Sequence, residues 1–86
     1  MSKAIDCAYV VDGQGPALVM VHGIGARKTG WDKVTEALKD SFTCIRYDLR
    51  GHGESPLASE DFGLEELVED LEALRARLGI EQMHII

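Results

Sequence analysis

Leu64, Leu67, Val68, Leu71, Leu74 and Leu78 recur at i, i+3, i+4 and i+7, and no other feature of the sequence restricts the fold so strongly. Glu65 and Glu66 stand at the start of this stretch, Arg75 and Arg77 near its end, and Gly79 follows at a position suited to a C′ residue. Charge placement and capping therefore agree with the period, which predicts a helix over 64–78. Burying six such side chains would contribute on the order of 10 kcal/mol, an upper figure because an unfolded chain is already partly collapsed. A stripe of that size needs a sheet to cover it.

The rest of the chain supplies one. Ala17 to Val21 is a continuous apolar run between Pro16 and Gly23, as expected of a strand buried on both faces. Ile5 to Val11 reads as an earlier strand entering the turn Asp12-Gly13-Gln14-Gly15-Pro16. Trp31, Val34 and Leu38 have helical spacing, so 31–39 reads as a short amphipathic helix. Phe42 to Tyr47 and Met83 to Ile86 read as further strands. Strands alternating with helices imply an α/β fold with a mainly parallel sheet, right-handed crossovers and helices packed on it. The first two strands, joined by a short turn, are expected to pair as an antiparallel edge. At 86 residues the chain is one unit, which would bury only roughly 60–65% of its unfolded surface.

Charge and composition exclude several functions. The net charge is −6, and no basic run is longer than Arg27-Lys28, so nucleic acid and anionic membrane are not expected partners. No apolar run approaches the roughly 20 residues that cross a bilayer. Cys7 and Cys44 are the only cysteines, and no charged-then-apolar leader opens the chain, so a reducing cytoplasm is the expected location. Three histidines and two cysteines lack ligand spacing, so neither a metal nor another cofactor is expected.

Val21-His22-Gly23-Ile24-Gly25 lies where a buried strand gives way to a helix, the ligand end of a parallel sheet. Glycines there let the backbone turn sharply and aim N–H groups into a crevice, which suits an oxyanion or a phosphate equally well. The P-loop pattern fails: Gly25 and Gly30 have its spacing, but Trp31 and Asp32 follow in place of Lys and Ser/Thr. The dinucleotide fingerprint needs a small residue where Lys28 stands, although Asp48 ends the next strand as a ribose-binding acid would. A small nucleotide-binding α/β domain stays open as an alternative.

The second constellation is Asp48-Leu49-Arg50-Gly51-His52-Gly53-Glu54-Ser55. Together with His22-Gly23-Ile24-Gly25 and Trp31, it resembles the N-terminal half of the α/β-hydrolase fold. Members of that family carry a His-Gly oxyanion segment, a later Trp and an Asp-x-Arg-Gly-x-Gly-x-Ser turn. The resemblance implies that 1–86 is the N-terminal portion of a single, incomplete α/β-hydrolase domain. It also implies that Gly-x-Ser-x-Gly would follow Ile86, with the acid and base later still. What transfers to this chain is the oxyanion loop: the backbone N–H of Ile24 as one donor, Gly23 and Gly25 as its room to turn, and His22 as the group that fixes it. The activity implied is that of a serine hydrolase acting on a small ester, thioester or lactone. The family also holds members with an aspartate nucleophile that act on epoxides or alkyl halides; many of the epoxide-opening ones have proline where Gly25 stands, which argues against that group. His52 and Ser55 share one glycine-rich turn with no apolar frame, so they are expected to shape the pocket rim rather than form a dyad. His84 falls within the last strand, where a hydrogen-bonded structural role is expected. A further alternative is a non-catalytic fragment or split half, inactive alone, whose open strand edge pairs with a complementary C-terminal chain or with itself.

Overall fold

The computed structural model describes residues 4–23, 25–56 and 63–86. The elements run β1 (Tyr9–Gly13), β2 (Ala17–Val21), a 3₁₀ turn (Lys28–Trp31), α1 (Asp32–Leu38), β3 (Thr43–Tyr47), α2 (Leu64–Leu78) and β4 (His84–Ile85). They build one four-stranded sheet in the order β1-β3-β2-β4. β2 pairs in parallel with β3 (Ala17↔Thr43 to Val21↔Tyr47) and with β4 (Leu18↔His84, Val19↔Ile85). This is the mainly parallel α/β sheet expected from the alternation of elements.

The side-chain period of two then sorts the central strands onto two faces. Leu18, Met20 and Cys44 pack against Trp31, Val34, Leu38 and Phe42 on the α1 side. Val19, Ile45, Tyr47, Leu49 and Cys7 pack with Leu74, and with Leu67, Leu71 and Leu78 beside it, on the α2 side. β2 thus buries both faces, as its unbroken apolar run requires.

Three expectations need correction. β1 is indeed an antiparallel edge, but its partner is β3 and not β2 (Tyr9↔Tyr47 to Gly13↔Thr43). Gly13 and Ala17 both lie opposite Thr43, one on each side of it. The link between them bridges two inter-strand spacings, roughly 10 Å, and four extended steps reach about 13 Å. A short turn was therefore long enough to step over an intervening strand. The link closes on the chain entering β3, where Gln14 N–H donates to the Lys39 carbonyl (3.0 Å) and Thr43 N–H to the Pro16 carbonyl (2.9 Å).

Second, β1 starts at Tyr9 rather than Ile5, because pairing begins where β3 offers partners. Ile5 N–H instead donates to Asp70 Oδ1 of α2 (2.9 Å). Third, the apolar stripe of α2 is only partly covered: Leu67, Leu71, Leu74 and Leu78 meet the sheet, whereas Leu64 and Val68 are 77% and 51% exposed. The helix ends match the sequence reading, with the Glu66 side chain accepting the Gly63 N–H (2.8 Å) and Gly79 as the C-cap.

Gly13 shows how tightly the crossing is packed. Its φ is +98°, and a Cβ there would lie 2.4 Å from the carbonyl oxygens of both Lys39 and Phe42. Both obstacles are backbone and cannot swing aside. Gly13→Ala should therefore cost at least about 2 kcal/mol of stability, read as a lower urea midpoint at unchanged slope.

Candidate functional site

β2 and β3 end side by side, Val21 opposite Tyr47, so the loops that follow them leave from one edge of the sheet. In a parallel sheet that edge, at the strands' carboxyl ends, is where ligands bind. The first loop carries His22, Gly23 and Gly25; the second runs from Asp48 to Pro56. Ile24 lies outside the described residues.

His22 is buried and ties the loops together at their roots. Its Nε2 accepts the Leu49 N–H (3.0 Å) and its Nδ1 donates to the Gly23 carbonyl (2.8 Å). The tautomer follows from these partners, because an imidazole that accepts at one nitrogen donates at the other. His22 thus links the turn beside Gly23 to the start of the second loop.

Asp48 is the hub of the second loop and is fully buried. Its carboxylate accepts the Lys28 N–H (2.6 Å), the Lys28 ammonium (3.0 Å) and the Glu54 N–H (2.9 Å). Burial alone would raise its pKa, but the Glu54 and Lys28 amides, together with the Lys28 ammonium, hold it below the ordinary carboxylate value. Lys28 is itself buried and also meets Glu54 Oε1 at 2.6 Å; its hydrogen bonds to Glu54 and then Asp48 push its pKa up. A Cβ on Gly53, whose φ is +50°, would meet the Asp48 carboxylate at 2.3 Å, which is why glycine stands there.

The remaining polar groups of the Asp48–Ser55 turn are held as firmly. Ser55 Oγ donates to the Asp48 carbonyl (2.6 Å) and accepts the Ala8 N–H (2.8 Å), pinning the turn to the approach to β1. Arg50, also buried, reaches across to α2, with Nε and Nη2 each 2.8 Å from an oxygen of Asp70. His52 Nε2 accepts the Gly25 N–H (3.0 Å) and its Nδ1 donates to the Arg50 carbonyl (2.9 Å). Ser55 and His52 therefore point to different partners and do not form a dyad. His84 is exposed on β4 and makes no side-chain hydrogen bond among the described residues, so the structural hydrogen-bonding role expected for it is not found.

Beside the first loop lies an apolar cleft of about 310 Å³, lined by Val21, His22, Gly23, Tyr47 and Leu49 on the sheet side and by Leu64, Leu67, Val68 and Leu71 of α2. The edge thus combines a glycine turn braced by buried polar contacts with an apolar wall.

Sequence reasoning missed two members of this arrangement. Asp70 lies three residues after Leu67 and four before Leu74, so it is an acid inside the apolar stripe, and that position was the available signal of a buried counter-ion. Lys28 enters the sequence reading as half of the basic pair Arg27-Lys28 and as a misfit in a glycine fingerprint. Nothing in the local sequence indicated that it would fold under Asp48.

The model of the alpha/beta hydrolase fold family matches residues 16–86. Among curated proteins, the chain is 37% identical over 75 residues to a pimeloyl-[acyl-carrier protein] methyl ester esterase of Aeromonas hydrophila, covering 86% of this chain and 28% of that protein. It is 33% identical over 87 residues to a fluoroacetate dehalogenase of Burkholderia, covering 95% of this chain and 28% of that one. The solved enol-lactonase of Burkholderia xenovorans superposes with a TM-score of 0.88 at 29% identity, covering 92% of this chain and 32% of that chain. The chain spans about a quarter of the length of the curated relatives it matches.

Proposed function

The chain belongs to the α/β-hydrolase fold family, and from that premise we propose that it supplies the oxyanion loop of a cytoplasmic serine hydrolase acting on a small carboxylic ester, thioester or lactone. In this reading residues 1–86 are the N-terminal portion of one catalytic domain. Nucleophile, acid and base lie outside these 86 residues, and the isolated chain turns nothing over. The Ile24 N–H is one donor to the developing oxyanion, the second coming from the residue after the nucleophile. Gly23 and Gly25 leave the backbone room, and His22 fixes the turn.

The observation that carries this reading is the bracing of the His22-Gly23 turn at the carboxyl edge of two parallel strands, next to an apolar cleft. An oxyanion donor is effective when it is held in place before charge develops, so that no reorganisation is needed during reaction. Similarity to an ester esterase and a lactonase supports acyl chemistry; similarity to a dehalogenase keeps an aspartate nucleophile as the outcome to test against.

In the whole enzyme, Ile24→Pro, which removes the N–H, should slow turnover by about 10² to 10³. Unchanged turnover would refute the assignment. A fluorophosphonate should label a serine within a Gly-x-Ser-x-Gly segment of the same enzyme. Turnover of an epoxide or alkyl halide without labelling would replace the serine by an aspartate.

A second reading is that the chain acts as a non-catalytic half that pairs with a complementary chain or with itself. The exposure of Ile85 in the two-residue strand β4 and of Ile86 after it favours it. Sedimentation of the purified chain as a monomer that is unaffected by a chain carrying the remaining domain would remove this reading.

A further inference from the structure

Two side chains of the second loop hold backbone of the first beyond Gly23: Asp48 accepts the Lys28 N–H where that loop ends, and His52 accepts the Gly25 N–H within it. The His52 ring is fully committed: Nδ1 donates to the Arg50 carbonyl (2.9 Å), which leaves Nε2 with the lone pair that accepts the Gly25 N–H (3.0 Å). Gly25 directly follows Ile24 in sequence, so the contact falls next to the residue that the functional reading makes the oxyanion donor.

We infer that His52 is the positioning residue of the oxyanion loop, holding it only while the imidazole is neutral. A protonated imidazole carries N–H on both nitrogens and has no acceptor to offer, so Gly25 N–H would face another donor. The loop contact would be lost on acidification without any change in the sheet. This deepens the functional reading above and rests on it for its catalytic consequence; the His52–Gly25 coupling itself does not.

Other ionisable groups stand around His52. The His22 ring lies beside it, with centroids 5.3 Å apart. Behind His22 stand Asp48, 3.9 Å from His22 Nε2, and then Lys28 and Glu54. The Arg50 guanidinium is turned to Asp70. His22 accepts from a different amide, that of Leu49, so each histidine has its own backbone reporter.

The test is ¹⁵N-resolved NMR of the chain between about pH 8 and pH 5, the window in which histidine changes charge. The Gly25 amide should shift together with the His52 ring nitrogens as that ring takes up a proton, while the Leu49 amide serves as the reference. His52→Phe should speed Gly25 amide exchange at neutral pH about three- to tenfold, the worth of one ordinary hydrogen bond. His52→Gln, which keeps an uncharged acceptor, should restore protection and abolish the pH dependence at Gly25. A Gly25 amide that ignores His52 protonation, or one whose exchange is unchanged in His52→Phe, overturns the inference. In the whole enzyme His52→Phe should lower kcat with KM unchanged, because the loop acts on the transition state. A rise in KM alone overturns the positioning role. Retained turnover in Ile24→Pro would instead refute the oxyanion reading and leave the NMR coupling standing.

Discussion

Asp70→Ala should lower the stability of the chain by about 3 to 5 kcal/mol, the cost of breaking a buried ion pair by removing one member. Arg50 and Asp70 are respectively 2% and 1% exposed, and they meet through two parallel 2.8 Å hydrogen bonds. Removing the carboxylate breaks the buried ion pair and also takes the acceptor from Ile5 N–H. The same contacts join three parts of the chain, the Asp48–Ser55 turn, α2 and the segment before β1, so their loss should loosen all three. Urea unfolding measures the effect. A double variant, Arg50→Met with Asp70→Leu, should recover much but not all of the loss. Apolar residues of similar volume can replace a buried ion pair, but Ile5 N–H would still lack its partner. A loss below about 1 kcal/mol in Asp70→Ala would mean that the pair behaves as an exposed one.

Asp48→Ala should be comparably severe, again about 3 to 5 kcal/mol, because it leaves the Lys28 ammonium buried and removes the acceptor for the amides of Lys28 and Glu54. The carboxylate also gives a pH signature. Its pKa in the fold lies below the ordinary value of 3.8, so it contributes stability that is complete above that value. The contribution is lost as pH falls through the lower, folded value. Stability should therefore drop on acidification below about pH 4, and Asp48→Asn should show a shallower acid limb than the parent. An unchanged limb would assign the acid loss to other carboxylates.

Local pattern and tertiary context divided the work differently along the chain. β2 and α2 were legible to the residue: a five-residue apolar run and a six-member stripe of five leucines and Val68 each have one period and clear boundaries. The edge strand was legible as a strand but not in its position. Its start depends on where β3 offers partners, and its neighbour on which side of β2 the crossover places β3. At the candidate site, the glycine turns and His22 could be read from spacing and resemblance. The contacts that hold them could not. Lys28 and Asp48 are 20 residues apart, Arg50 and Asp70 likewise, and Gly25 and His52 27 apart.

The sequence by itself determined the α/β class, the central strand, the long helix and the edge from which both loops emerge, because hydrophobic period and turn chemistry act between near neighbours. Only the tertiary structure decided the strand order, which leucines of α2 are covered, and the buried pairing of Lys28 with Asp48 and Arg50 with Asp70. Those outcomes depend on desolvation and charge balance between residues that meet only once the sheet has formed, and no local pattern encodes such a meeting.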